Sequence, residues 1–414
     1  MKIRPDRLLA DIEALAAIGD TGDGGNCRLA LTDDDAGGRE LVVGWMRGLG
    51  LHVRVDRIGN VVATRAGVGR AGDGNGPAPV MTGSHIDTVG TGGRYDGTLG
   101  VLAGLEVVRA LDDAGIRTRR PLAVAFFTDE EGSRFAPDML GSLVYAGGMP
   151  LEDALDTVAI DGAVLGDELE RIGWAGDAAV PGPPPHAYVE LHIEQGPVLE
   201  EAGVTIGAVT GVQGISWQEL TVTGQSNHAG TTPMRLRRDP AYVAAETIGF
   251  VRRLATDLGG HQVGTVGRLD LHPDLVNVVA ARATLTVDLR NTDEAVLADA
   301  ERRLRAQVAA LSSAEGCQAA WRRLARFEPV DFDPAVIDLV ESTAERLGHS
   351  VMRLPSGAGH DAQMLARVCP TGMVFVPSRA GVSHNPAEYT EPEHLAAGAQ
   401  VLAEVLTELA GVAE

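Results

Sequence analysis

Three apolar runs along this chain carry or lead into histidine and carboxylate residues, and they set its pattern. Pro79 to Val89 reads as a buried strand carrying His85 and Asp87, with the two side chains on one face. Leu122 to Phe127 is a second strand and leads into Asp129-Glu130-Glu131-Gly132. Tyr188 to Pro197 is a third, carrying His192 and ending in polar residues. Between them the period changes to that of helices. Residues 1–20 place Leu8, Leu9, Ile12, Leu15 and Ala16 on one face, a second helix covers about Gly38 to Leu49, and a third follows Tyr95–Gly100 to about Asp113. Polar, glycine-rich Gly22–Gly38 reads as a loop, Leu51–Val55 as a strand before a turn at Gly59-Asn60, and Gly67–Pro79 as a surface excursion. Leu151–Trp174 is helical in part, and Ala175–Pro185 is a linker.

Near Gly211 the order of elements changes. It becomes strand (Ser216–Gly224), helix (Pro240–Leu258), strand (Gly264–Leu271), strand (Val276–Arg290), helix (Asp293–Leu311) and strand (Cys317–Phe327). That βαββαβ order predicts two helices on an antiparallel, ferredoxin-like sheet. Beyond Pro329 the α/β pattern resumes with helix Pro334–Leu347, the loop Ser356–Asp361, a helix from Ala362, strand Gly372–Val376 and helix Glu391–Leu409. The expected architecture is α/β, with a mixed, largely parallel sheet and helices on both faces. Residues 1–211 and 330–414 would form one discontinuous domain, and 212–329 an inserted α+β domain.

Length and charge narrow the classes. At 414 residues the chain exceeds the usual single core. No apolar run reaches the ~18 residues of a membrane span. The first residues lack the apolar core of a signal peptide, so a cytoplasmic protein is expected. Cys27, Cys317 and Cys369 are far apart and suit reduced thiols rather than a disulfide framework. A net charge of -22 argues against nucleic acid or an anionic membrane as partner, though a local arginine still suits an anionic substrate.

The chemistry sits where strands end. Adjacent Glu130 and Glu131 point opposite ways on an extended segment, so one can grip a cation while the other accepts a proton from water. Imidazoles and carboxylates recur at four such places: His85 with Asp96, Glu130-Glu131, His192 and His384. In open α/β sheets the carboxyl ends of the strands form the binding crevice. His85, Asp96, Glu131, His192 and His384 are too many ligands for one tetrahedral ion with an open position. They suit two divalent ions sharing a carboxylate: zinc, manganese, cobalt or nickel. Asp87 is placed to orient the His85 ring. These residues predict a metal-dependent hydrolase.

Six segments then carry a family likeness: Gly83–Val89, Gly93–Val101, Thr128–Phe135, His192–Pro197, Gln225–Met234 and Ser383–Glu388. Together they resemble the amidohydrolase branch of the M20 metallopeptidase family, which holds N-carbamoyl-L-amino-acid hydrolases, allantoate amidohydrolases and β-ureidopropionases. Gly97 after Asp96, and a histidine at position 192, mark this branch against its peptidase relatives. The resemblance implies Asp96 as a bridging ligand beside His85, Glu131, His192 and His384, with Glu130 as general acid/base. It further implies a homodimer through the inserted domain, which would serve as lid, with His228 reaching the other subunit's site to stabilise an oxyanion. Arg290, at a strand exit, reads from its own surroundings as a surface arginine or a substrate handle; the resemblance makes it the grip on a substrate carboxylate, aided by Asn277. Gln195, Gln213 and Gly359 complete the expected substrate contacts, and His360-Asp361 carries no assignment. The substrate implied is a small ureido acid, with an N-carbamoyl-L-amino acid favoured over allantoate or β-ureidopropionate.

Overall fold

The computed structural model describes residues 1–69 and 76–413. Of the excursion expected over Gly67–Pro79, residues 70–75 lie outside that set. Met1–Gly211 with Asp331–Glu414 form one compact unit, and Val212–Val330 forms a second.

The larger unit is built on a sheet with strand order His52–Val55, Val61–Arg65, Leu122–Phe127, Val80–His85, Ala187–Ile193, Thr371–Val376, Ile206–Val212 and Val330–Asp331; Val351–Ser356 also pairs with Ile206–Val212. The four strands from Leu122–Phe127 to Thr371–Val376 pair in parallel. The flanking pairs made by Val61–Arg65 and by Ile206–Val212 with Thr371–Val376 are antiparallel. Every residue of the four parallel strands is buried, so both faces of the sheet are covered. That is why these strands read as unbroken apolar runs. Their parallel direction delivers all four carboxyl ends to one edge.

Several boundaries differ from the expected ones. The first helix is Pro5–Ala16, not residues 1–20. The second is Asp33–Gly48 and begins inside the stretch expected to be a loop. Thr32 caps it, and Asp33, Asp34 and Asp35 fill the first turn, where carboxylates stabilise the helix dipole. The strands Val61–Arg65, Ile206–Val212 and Val351–Ser356 were not expected. The strand expected over Val276–Arg290 divides into Val278–Val279 and Arg282–Asn291.

The smaller unit has a four-stranded antiparallel sheet in the order Gln318–Phe327, Gly214–Thr223, Arg282–Asn291, Val263–His272. Helices Pro240–Leu258 and Glu294–Glu315 complete the βαββαβ order. Asp239 and Asp293 cap these helices, each accepting from a first-turn N–H. Ala283, Leu285, Val287 and Leu289 alternate inward along Arg282–Asn291 and join Val243, Val251, Leu297 and Leu304 in the core. The intervening residues, among them Asp288 and Arg290, lie on the opposite face.

Candidate metal centre

The strand ends of the larger unit bring six side chains together. His85 closes Val80–His85, and His192 lies near the end of Ala187–Ile193. Glu130 and Glu131 follow Leu122–Phe127, and His384 sits in the loop beyond Thr371–Val376. Asp96 comes in from the turn that starts helix Thr98–Asp113.

Asp96 lies at the middle. Its Oδ1 is 3.1 Å from His192 Nε2 and 3.6 Å from His85 Nε2. Its Oδ2 is 3.4 Å from His384 Nε2. Glu131 Oε2 is 3.3 Å from the same nitrogen of His384, whereas Glu130 Oε2 is 3.4 Å from His85 Nε2. The neighbouring glutamates thus serve different histidines, although the backbone bends there instead of staying extended. Two donor sets result, His85–Asp96–His192 and Asp96–Glu131–His384, each with its ligand atoms within 4.8 Å of one another. They share only Asp96.

Backbone carbonyls choose the histidine tautomers. His85 Nδ1 is 2.9 Å from the Asp87 carbonyl oxygen, and His192 Nδ1 is 2.8 Å from that of Ile193. A carbonyl only accepts, so both Nδ1 atoms carry a proton and both Nε2 atoms are turned toward Asp96. Asp87 therefore orients His85 through its main chain. Its carboxylate is 3.8 Å from the His85 ring and instead accepts from the Glu130 and Glu131 amides at 3.4 and 3.3 Å.

Other groups hold the centre in place. Gln195 Nε2 donates to Asp96 Oδ2 at 2.8 Å, so the residue expected in the substrate pocket touches the shared carboxylate. Glu388 was assigned no role, yet its Oε1 accepts from the Tyr95 and Asp96 amides at 3.1 and 3.3 Å. Ser383 Oγ lies 3.0 Å from Glu388 Oε2 and 3.3 Å from Asp96 Oδ2. The sequence signal was the Ser383–Glu388 motif itself, which ends in an acid. Gly97 has φ +64°, and a Cβ there would lie 2.3 Å from His85 Nε2, so no other residue fits. Asp129, Gln195 and His384 hold φ of 57°, 57° and 54°, strain of the kind that gathers at functional sites. The unassigned His360 packs edge-on against His192, with centroids 4.5 Å apart, and its Nε2 is 2.8 Å from Ser356 Oγ. Gly359 stands against Met139, where a Cβ would lie 2.9 Å from the Met139 methyl.

The electrostatics show what the donors need. Burial alone would push His85 down, but Glu130, Asp96, Asp87 and Glu131 hold it well above the usual imidazole range. Burial works upward on Asp96, yet His192, His384 and His85 keep it well below the usual carboxylate range. Contacts with Asp96 and Glu131 push His384 up to about 10. Glu130 is raised by burial and then by Asp361, Glu131 and Asp96, against the pull of His85. The carboxylates thus draw positive charge onto their histidines. Glu131 pairs with His384 through Oε2, but its Oε1 is buried with no hydrogen-bond partner, a strong acceptor left unsatisfied. Imidazole nitrogens and carboxylate oxygens in this arrangement fit divalent transition-metal ions.

The remaining candidates lie in the smaller unit. His228 and Asn277 meet on a two-stranded ladder, in which Val278 faces His228 and Ala229 N donates to the Asn277 carbonyl at 2.9 Å. His228 Nδ1 accepts from the Gly230 and Thr231 amides at 3.0 and 3.2 Å, which makes the exposed Nε2–H a donor. Arg290 pairs with Asp288, its Nη2 3.0 Å from Oδ2. Gln213 is buried, and its side-chain oxygen has no partner.

A mixed parallel sheet that gathers imidazoles and carboxylates at its strand ends defines a metal-dependent hydrolase. The sequence model of peptidase family M20/M25/M40 matches residues 81–408, and the chain belongs to that metal-dependent family. It is 42% identical to the N-carbamoyl-L-amino-acid amidohydrolase of Rhizobium meliloti over 100% of this chain and 98% of that protein. It is 35% identical to the allantoate amidohydrolase of Bacillus subtilis over 96% of each. The crystal structure of an amidase of the hydantoinase/carbamoylase family from Burkholderia multivorans superposes with a TM-score of 0.92 at 47% identity, covering 99% of this chain and 98% of that one. Within its family the chain is an enzyme that hydrolyses C–N bonds other than peptide bonds.

Proposed function

We propose that the protein is a binuclear-metal amidohydrolase that cleaves the carbamoyl C–N bond of N-carbamoyl-L-amino acids, releasing amino acid, carbon dioxide and ammonia. The observation that carries this reading is Asp96, whose two oxygens face different donor sets. His85 and His192 would hold one ion, Glu131 and His384 the other, and Asp96 both. Zinc, manganese, cobalt and nickel all suit these donors. When bound, such a pair lowers the pKa of water and polarises a carbonyl.

The chain's own residues supply the rest. Glu130, buried and raised, takes a proton from the attacking water and returns it to the departing nitrogen. The outward Nε2–H of His228 is suited to the oxyanion of the tetrahedral intermediate, where one lost donor costs about 10²–10³ in rate. Arg290, aided by Asn277, takes the substrate carboxylate through a planar fork. Gln195, Gln213 and Gly359 complete the substrate contacts, and the inserted unit serves as lid.

We read the inserted unit as the site of homodimerisation. Met234, Leu236, Leu275 and Val276 are exposed apolar residues near His228 and Asn277 in sequence. Residues 212–330 carry 14 arginines against 13 acidic residues, whereas the whole chain has a net charge of -22, so this unit meets a copy of itself with little repulsion. We place the enzyme in the cytoplasm, where its three unpaired cysteines stay reduced. Among the described residues no helix is long and apolar enough to cross a membrane.

The test is a panel of N-carbamoyl-L-amino acids, allantoate and β-ureidopropionate, assayed with each of the four metals. Amino acid and ammonia released together from the carbamoyl substrates support the reading. Preferential release of ammonia from allantoate would move the assignment to the reaction named for the Bacillus subtilis relative. In Glu130→Gln, substrate binding should survive while turnover falls at least about 10²-fold; unchanged turnover would remove Glu130 from its role.

A further inference from the structure

One rung of the inserted sheet is built unlike the rest. Asp288 on Arg282–Asn291 stands directly opposite Trp217 on Gly214–Thr223. The two outer strands both break register there. Val263–His272 slips between the partners of Thr286 and Asp288, and Gln318–Phe327 slips between Arg323 and Ala325, the partners of Gln218 and Trp217. Bulges sharpen the twist and re-aim side chains. Two bulges flanking one pair point to a rung shaped for a purpose.

Arg290 is what this rung presents. Two residues beyond Asp288, it lies on the same face, and the Asp288 carboxylate holds it at three short distances. Nε is 3.2 and 3.1 Å from Oδ1 and Oδ2, and Nη2 is 3.0 Å from Oδ2. The guanidinium carbon lies 5.9 Å from the Trp217 ring centroid. Both side chains of the ion pair are partly exposed. An exposed ion pair of this kind adds little to stability. It does remove rotamer freedom from a long side chain, freedom that a ligand would otherwise have to remove on binding.

We propose that Asp288 and Trp217 are positioning residues that pre-set the Arg290 guanidinium for a substrate carboxylate. This rests on the reading of Arg290 as the carboxylate grip. Asp288 occupies the Nε–Nη2 edge of the fork, and the Trp217 ring lies beside the guanidinium carbon. With a carboxylate already beside the guanidinium, recognition depends more on the direction of the N–H bonds than on a diffuse positive field. The device selects a carboxylate presented at one angle.

The experiment measures KM and kcat for the ureido acid hydrolysed fastest, using the metal-loaded, full-length enzyme. Arg290→Met tests the underlying reading: a KM rise of tenfold or more supports it, and an unchanged KM overturns it. Asp288→Ala should raise KM about three- to tenfold with kcat within about twofold, and Trp217→Ala should do the same. Asp288→Asn, which keeps an acceptor and the side-chain volume, should recover part of the loss, and it decides the matter should the alanine variant fail to fold. In the Arg290→Met background, Asp288→Ala should have no further effect on KM, because its influence passes through the arginine. A KM for both Asp288 variants equal to that of the parent, alongside a large Arg290→Met effect, overturns the positioning role and leaves the carboxylate grip standing. Additive effects in the double variant, or a fall in kcat without a KM change, overturn it as well.

Discussion

Glu388 shows how much a single buried carboxylate can organise. It bonds the amides of Tyr95 and Asp96 and meets Ser383, which itself reaches Asp96, so it fixes the shared carboxylate from behind. Groups that orient metal ligands commonly contribute 10–100-fold in affinity. Glu388→Ala should weaken binding of cobalt or manganese to the metal-free protein by about that factor, as read by calorimetric titration; unchanged affinity would reduce Glu388 to a loop fastener. Asp56 gives a prediction in pH. Its carboxylate accepts from Ile58 N, Asn60 N and the Asn60 side chain at 3.0, 2.9 and 2.8 Å, yet burial raises it from 3.8 to about 6. A raised folded-state pKa favours the folded protein below 3.8, and that contribution is lost as pH rises through about 6. The Tm of Asp56→Asn relative to the parent should therefore climb between those two values. A flat difference would show that Asp56 does not titrate abnormally.

At the scale of elements, buried arginines tie the ends of strands to the helices beside them. Arg28 is fully buried, and its guanidinium donates to the carbonyls of Ile86, Leu15 and Ile18 at 2.7, 3.1 and 2.7 Å. Its own amide donates to Thr88 Oγ1 at 2.7 Å. It thereby grips both sides of Asp87, whose carboxylate holds the Glu130 and Glu131 amides. Arg28→Met would leave two buried carbonyls and one part-buried carbonyl without this donor and should cost about 3 kcal/mol, seen as a lower Tm. A loss under about 1 kcal/mol would mean that the carbonyls find other donors. Much at this scale was legible. Helix Pro240–Leu258 announces itself by Asp239-Pro240 and a regular apolar face, and the parallel strands by unbroken apolar runs. The helix start at Asp33 was not, because three consecutive acids look like solvent until a cap and a dipole are placed beneath them. Val351–Ser356 was also missed: Arg353 and Pro355 suit an edge or irregular strand that only a neighbour can reveal.

At the scale of the whole molecule, charge is divided unevenly between the units. With near balance in residues 212–330, the excess of acid lies in the larger unit. We expect the parent protein to sediment as a dimer. Val276→Asp, which puts a charge into the exposed apolar stretch at Leu275-Val276, should shift it to monomer and lower turnover, since His228 serves the second subunit in our reading. A dimer that survives this change would place the interface elsewhere.

Sequence alone determined which chemistry the chain could offer. Residue types, their positions at the ends of apolar runs and the βαββαβ order are local properties, and local patterns record burial and hydrogen-bonding habit directly. Tertiary structure alone decided how those residues divide their work. That Asp96 faces His85 and His192 with one oxygen and His384 with the other, that Glu130 and Glu131 serve different histidines, and that Glu388 holds Asp96 in place follow from the pairing of strands far apart in the chain. The angle at which distant side chains meet depends on sheet register and loop geometry, and no run of neighbouring residues encodes it.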